Sequence, residues 1–103
     1  MLSFSTLEFN MGEVVFGQQK QYHIIVTNNS PEVVELHNTG SSCSCTTGLT
    51  SPNPIDAYKE ANFNITFDSN KAGRGLMVKS ITVSWTIAGQ SFTKVITFTV
   101  TTI

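Results

Sequence analysis

Charge is scarce in this sequence. Asp, Glu, Lys and Arg make up 13% of the 103 residues, against a globular norm of about a quarter. Long helices need charged and Ala-rich solvent faces, so they are not expected here. Neither sign dominates: six basic residues against seven acidic give a net charge of -1. That leaves no field to hold a phosphate backbone or an anionic membrane, so neither nucleic acid nor membrane is an expected partner. No apolar run approaches the ~20 residues that span a bilayer. The N-terminal stretch lacks the basic start and apolar core of a secretory signal, and no export is expected from it. Cysteine is nearly absent as well. The two present, Cys43 and Cys45, are separated by one residue, which excludes the antibody-type bridge between two sheets.

What the chain does contain is alternation. Phe63, Ile65 and Phe67 alternate with Asn62, Asn64 and Thr66, the period-two pattern of a half-buried strand. Ile81, Val83, Trp85 and Ile87 alternate with Ser and Thr, Ala88-Gly89-Gln90 interrupts, and Phe92, Ile96, Phe98 and Val100 resume the alternation. This predicts a β-hairpin. Tyr22, Ile24 and Val26 predict another strand, Val34 and Leu36 a short one, and Met11 to Val15 a further piece. The first segment changes phase between Phe4 and Phe9, as a bulged or sheet-switching strand does. About seven strands and roughly eighteen inward side chains predict a single all-β domain over residues 1–103, an immunoglobulin-like antiparallel sandwich with one core.

Few residues assemble into chemistry. The run Asn38-Thr39-Gly40-Ser41-Ser42-Cys43-Ser44-Cys45-Thr46-Thr47-Gly48 is small and polar and reads as loop. Three roles compete for its cysteines. Cys43 and Cys45 could bind a soft metal with His37 or His23, although a structural zinc site wants four ligands. They could form a tight disulfide. The favoured reading is two small thiols that pack a loop. Both histidines fall on strand phases that face solvent, and the seven carboxylates are dispersed at strand ends and turns. No catalytic residue, metal or cofactor is expected. The segment from Asp68 to Gly75 is glycine-rich, but without a following helix it cannot cradle a phosphate. With Lys79 it gathers Lys71 and Arg74 near one end, a candidate contact for an acidic protein partner. An open sheet edge is the second candidate contact.

The order of these signals resembles a known module. Phe9-Asn10-Met11-Gly12-Glu13-Val14, the strand ending at Asn28, Ser42-Cys43-Ser44-Cys45-Thr46 and Phe63-Asn64-Ile65-Thr66-Phe67-Asp68 are similar to a bacterial immunoglobulin-like family of unknown function, related to major-sperm-protein and hydin-type sandwiches. Two departures stand out. Ser44 replaces the family's usual Gly, and Asp56-Ala57-Tyr58-Lys59-Glu60 replaces its Pro-Gly turn, which implies a loop that is longer or aimed elsewhere. The resemblance implies an interaction module without catalysis. A small, charge-poor, Ser/Thr-rich domain of this kind also resembles the decoration proteins of bacteriophage. That implies many copies on a capsid or tail lattice, bound to a virion protein after synthesis in the host cytoplasm. The alternatives are a cytoplasmic or periplasmic module that binds peptides by strand addition, and a small Cys-x-Cys metal-binding protein.

Overall fold

The computed structural model describes residues 2–41 and 44–103, with Thr39 described in its backbone alone. Eight strands form two four-stranded sheets: β1 (Leu2–Phe4), β2 (Glu8–Val14), β3 (Gln19–Asn28), β4 (His37–Ser41), β5 (Thr46–Ser51), β6 (Glu60–Asp68), β7 (Gly75–Ile87) and β8 (Gln90–Thr102). The first sheet runs β1-β3-β6-β5 and the second β2-β8-β7-β4. The predicted all-β immunoglobulin-like sandwich is therefore the observed fold, with one departure from a purely antiparallel arrangement: β2 lies parallel to β8.

The alternating apolar residues are what bring the sheets together. Ile24 pairs with Phe63 and Tyr22 with Ile65 across β3 and β6, while Ile81 pairs with Ile96 across β7 and β8. Phe63, Ile65, Phe67, Val83 and Trp85 from the facing sheets are all buried. Hydrophobic transfer of about 1.5–3 kcal/mol for each such side chain drives the closure.

The phase change near the N-terminus is a sheet switch. Leu2, Ser3 and Phe4 pair with β3, and the Ser5 amide still reaches the Ile25 carbonyl at 2.9 Å. The chain then crosses, and the Leu7 carbonyl accepts from the Thr97 amide of the other sheet at 2.9 Å. The Thr6 hydroxyl turns this corner by accepting the Glu8 amide at 3.2 Å. Farther along β2, Gly12 has φ +84 at a register shift against β8. Only a residue without Cβ takes that conformation easily.

Two sequence expectations need correction. The Cys-containing run is not all loop, since β4 and β5 take up its two ends, where Gly40 pairs with β7 and Thr46, Thr47 and Gly48 pair with β6. Val34 and Leu36, expected in a strand, give only an isolated bridge between Val34 and Ile55. Both are nonetheless buried, because a buried network fixes their loop. The Asn28 side-chain amide donates to the carbonyls of Glu32 (2.7 Å), Ile55 (3.1 Å) and Asp56 (3.1 Å). Its side-chain oxygen accepts from the Ser30 amide (3.0 Å) and hydroxyl (2.7 Å). Asn53 binds both the amide and the carbonyl of Leu36, at 3.1 and 2.9 Å, in place of a strand neighbour. The Asp56 to Glu60 segment turns with Tyr58 at φ 58 and the Lys59 amide on the Asp56 carbonyl at 3.1 Å.

Candidate functional site

The two longest strands, β7 and β8, have 13 residues each and form a hairpin across a two-residue turn. Ala88 (φ 51) and Gly89 (φ 81) both take the left-handed conformation, as the turn that matches strand twist requires. Such a turn closes on a hydrogen-bonded pair, here Ile87 with Gln90, and antiparallel pairs then alternate between bonded and non-bonded. Odd-numbered residues of β7 therefore turn their backbone groups to β8. Even-numbered ones turn theirs away. On β8 the odd-numbered residues point outward, and the Thr97 and Ile103 amides do so, reaching Leu7 and Val14 carbonyls at 2.9 Å.

Neither flanking strand covers this hairpin. β4 pairs only with residues 81–84 of β7, and β2 only with residues 97–102 of β8. Among the described residues, two segments are left without a neighbour on their outer side. One is residues 75–79 of β7, where the outward backbone groups belong to Leu76 and Val78. The other is residues 91–95 of β8, where they belong to Ser91, Thr93 and Val95. Leu76 and Val78 are also 75% and 64% exposed, among the largest values for apolar side chains in the protein. Thr101 and Thr99 stand beside them on the outer sheet face.

The opposite sheet guards its own edge. β1 covers β3 only from residue 26 onward, yet the exposed first half of β3 is obstructed. Phe9 of β2 stacks on Tyr22 with ring centroids 3.9 Å apart and on Phe98 at 5.2 Å. Lys20 sits on the inward phase opposite Phe67, and its ammonium approaches the Glu13 carbonyl at 3.5 Å. On the other flank, the Asn38 side-chain amide bridges from β4 to the Gly48 carbonyl of β5.

The cations singled out by the sequence surround the bare part of β7. Lys71 ends a single 3₁₀ turn (Ser69–Lys71), Arg74 immediately precedes β7, and Lys79 is half-buried within it. Arg74 lies over the Phe16 ring at 4.9 Å. None of the three is in an ion pair among the described residues. The ion pair among the described residues is an exposed one, His37 Nε2 to Glu35 at 3.5 Å. Sequence reasoning missed Leu76 and Val78, because it ended the preceding loop at Gly75, started the strand at Ile81 and assigned the residues between to neither. Their alternation with Met77 and Lys79 was the available signal.

The cysteine reading is corrected. Cys45 is buried and disulfide-bonded, and no free cysteine occurs among the described residues; Cys43 lies outside them. Oxidised Cys45 packs against the core as a sulfur atom, not as the free thiol that the sequence favours, and it offers no thiolate to the metal weighed as an alternative. Among the described residues, no three His, Cys, Asp or Glu side chains converge. His23 and His37 are exposed, as expected. The shallow cleft between β4 and β5 is lined by Asn38, Gly40, Ser41, Thr46, Thr47, Gly48 and Ile81, with no ionisable group among them.

The two facing four-stranded sheets define an immunoglobulin-like β-sandwich. Within that class, the family described as "Protein of unknown function (DUF1573)" matches residues 2–101, and the chain belongs to it. No curated protein matches the sequence. The structure is similar to an ASH/PapD-like domain of human CEP192, with a TM-score of 0.77 and 12% identity, covering 99% of this chain and 84% of that one. It is similar to the Vibrio cholerae VesB protease at TM-score 0.69 and 13% identity, covering 97% of this chain but 31% of the protease. It is also similar to the E. coli chaperone DraB, at TM-score 0.67 and 10% identity, covering 99% of this chain and 55% of the chaperone. At these identities the likeness shows the fold alone.

Proposed function

We propose that this domain is a non-enzymatic protein-interaction module that takes up an extended segment of another protein by adding it as a strand to the β7/β8 sheet. One observation carries this reading: among the described residues, the hairpin outruns both flanking strands and leaves outward backbone groups on Leu76, Val78, Ser91, Thr93 and Val95. Strand addition satisfies such groups with main-chain hydrogen bonds and reads alternate side chains for specificity. The likeness to the chaperone DraB supports the same reading.

The partner carried over from the sequence is a bacteriophage capsid or tail protein, with many copies of the domain docked on the particle after synthesis in the host cytoplasm. Purified particles that lack the chain would remove that partner and leave the binding mode standing. The mode itself is tested by selecting binders from a random-sequence peptide library and mapping amide exchange on the domain. Selected peptides are expected to slow exchange at one of the two bare edges. Binders that leave all five of those amides exchanging freely would overturn it.

A further inference from the structure

Resting on the strand-addition reading, we infer that the receiving edge is residues 75–79 of β7 and that its occupant is an acidic segment of another protein, with apolar and acidic residues in alternation. Three observations on this edge point the same way. Leu76 and Val78 carry the outward backbone groups, and their amides have no partner among the described residues. The same two residues expose large apolar side chains on the outer face. An added strand places every second side chain beside them, so those positions call for β-branched or other apolar residues. The intervening positions lie level with Met77 and Lys79 on the inward phase, where a carboxylate meets the Lys79 ammonium. Arg74 and Lys71 flank the entry with no carboxylate paired to them.

Charge also decides against a second copy of this chain. Antiparallel pairing of two β7 edges about Met77 sets Lys79 of each copy beside Gly75 and Arg74 of the other, and like charges so placed repel. The β8 edge competes less well. Its residues 91–95 present Val95 as their only exposed large apolar side chain, with Lys94 as the nearest cation.

The test uses the whole domain and two synthetic seven-residue peptides, one alternating Glu with Val and one alternating Lys with Val. Binding is read by fluorescence anisotropy and by amide exchange. The Glu/Val peptide is expected to bind at least ~10-fold more tightly than the Lys/Val peptide, to slow exchange at Leu76 and Val78, and to weaken as salt rises. Lys79→Glu is expected to cost it roughly 10-fold in affinity. Val78→Pro deletes an outward amide while sparing the β8 ladder, a position where an edge strand tolerates proline. It is expected to abolish binding and leave the circular dichroism spectrum unchanged. Should that variant fail to fold, N-methylation of alternate peptide amides removes the reciprocal bonds, those the peptide donates to the outward Leu76 and Val78 carbonyls, without altering the domain, and it too is expected to abolish binding. Equal affinity for both peptides, or binding that survives N-methylation in both registers, would overturn the inference. So would protection at Ser91, Thr93 and Val95 instead, an outcome that leaves strand addition intact and moves it to the other edge.

Discussion

Asn28 shows how much one side chain can hold. Fully buried at the end of β3, it ties together the carbonyls of three residues from two separate loops and the amide and hydroxyl of Ser30. Removing it leaves several buried polar groups without partners, each costly in a dry interior. Asn28→Ala is expected to lower unfolding free energy by about 3 kcal/mol, measured by urea denaturation. Asn28→Asp should be at least as damaging, because a carboxylate cannot donate to those three carbonyls. Gly48 is fixed for the opposite reason, lack of room. A Cβ placed there would lie 2.4 Å from the tip of the buried Phe63 ring. Gly48→Ala is expected to cost about 1–3 kcal/mol by overpacking, and Phe63→Leu in the same chain to recover part of that loss. Additive costs in the double variant would refute the clash. The sequence showed Asn28 as the end of a strand and Gly48 as part of a polar run. Beside the local Ser30 and Glu32, Asn28 reaches Ile55, Asp56 and Lys59, and Gly48 meets Phe63 of β6, so neither role could be read from neighbours alone.

At the scale of elements, the β7/β8 turn offers a stabilising change. Ala88 holds φ 51, a conformation that asparagine tolerates better and that two-residue hairpins favour as Asn-Gly. Ala88→Asn is expected to raise stability by about 0.5–1 kcal/mol while keeping the backbone amide that donates to Glu32 at 3.2 Å. An unchanged or lowered thermal midpoint would contradict this turn geometry. The strands themselves differ in how legible they were. β6 and the distal halves of β7 and β8 were evident because phenylalanine and isoleucine alternate with Ser, Thr and Asn. β4 and β5 were not, since His37-Asn38-Thr39-Gly40-Ser41 and Thr46-Thr47-Gly48-Leu49-Thr50-Ser51 have little apolar content and owe their extended form to pairing with β7 and β6. The proximal half of β7 was hidden for a related reason. Its exposed Leu76 and Val78 reverse the usual alternation of apolar inside and polar outside.

The whole molecule is longer than a domain of its size usually is. Its radius of gyration is 14.3 Å with a longest extent of 45 Å, against about 13 Å for a typical 100-residue domain. A 13-residue strand at about 3.3 Å per residue spans ~43 Å, so β7 and β8 set that length. Among the described residues, the shorter flanking strands leave part of each uncovered. Closure also depends on both chain ends, because β2 pairs with residues 97–102 and the Ile103 amide bonds the Val14 carbonyl. Removing residues 97–103 takes away the partner of β2 together with the buried Phe98 and Val100. That truncation is expected to unfold the domain, seen as loss of dispersion in its proton spectrum. Retained dispersion would show that β2 and β8 are dispensable. With so many pairings between residues far apart in sequence, folding on the millisecond-to-second scale is expected.

Alternation and sparse charge, properties of neighbouring residues, were enough to determine that this chain forms strands, buries one aromatic-rich core between two sheets and leaves out long helices. Which strands lie next to each other, that the first crosses from one sheet to the other, and that β7 and β8 overshoot their neighbours were decided by the tertiary structure alone. Those features arise from contacts between segments up to about ninety residues apart, a distance that no local pattern encodes. An unpaired edge is likewise visible only once the lengths of adjacent strands can be compared.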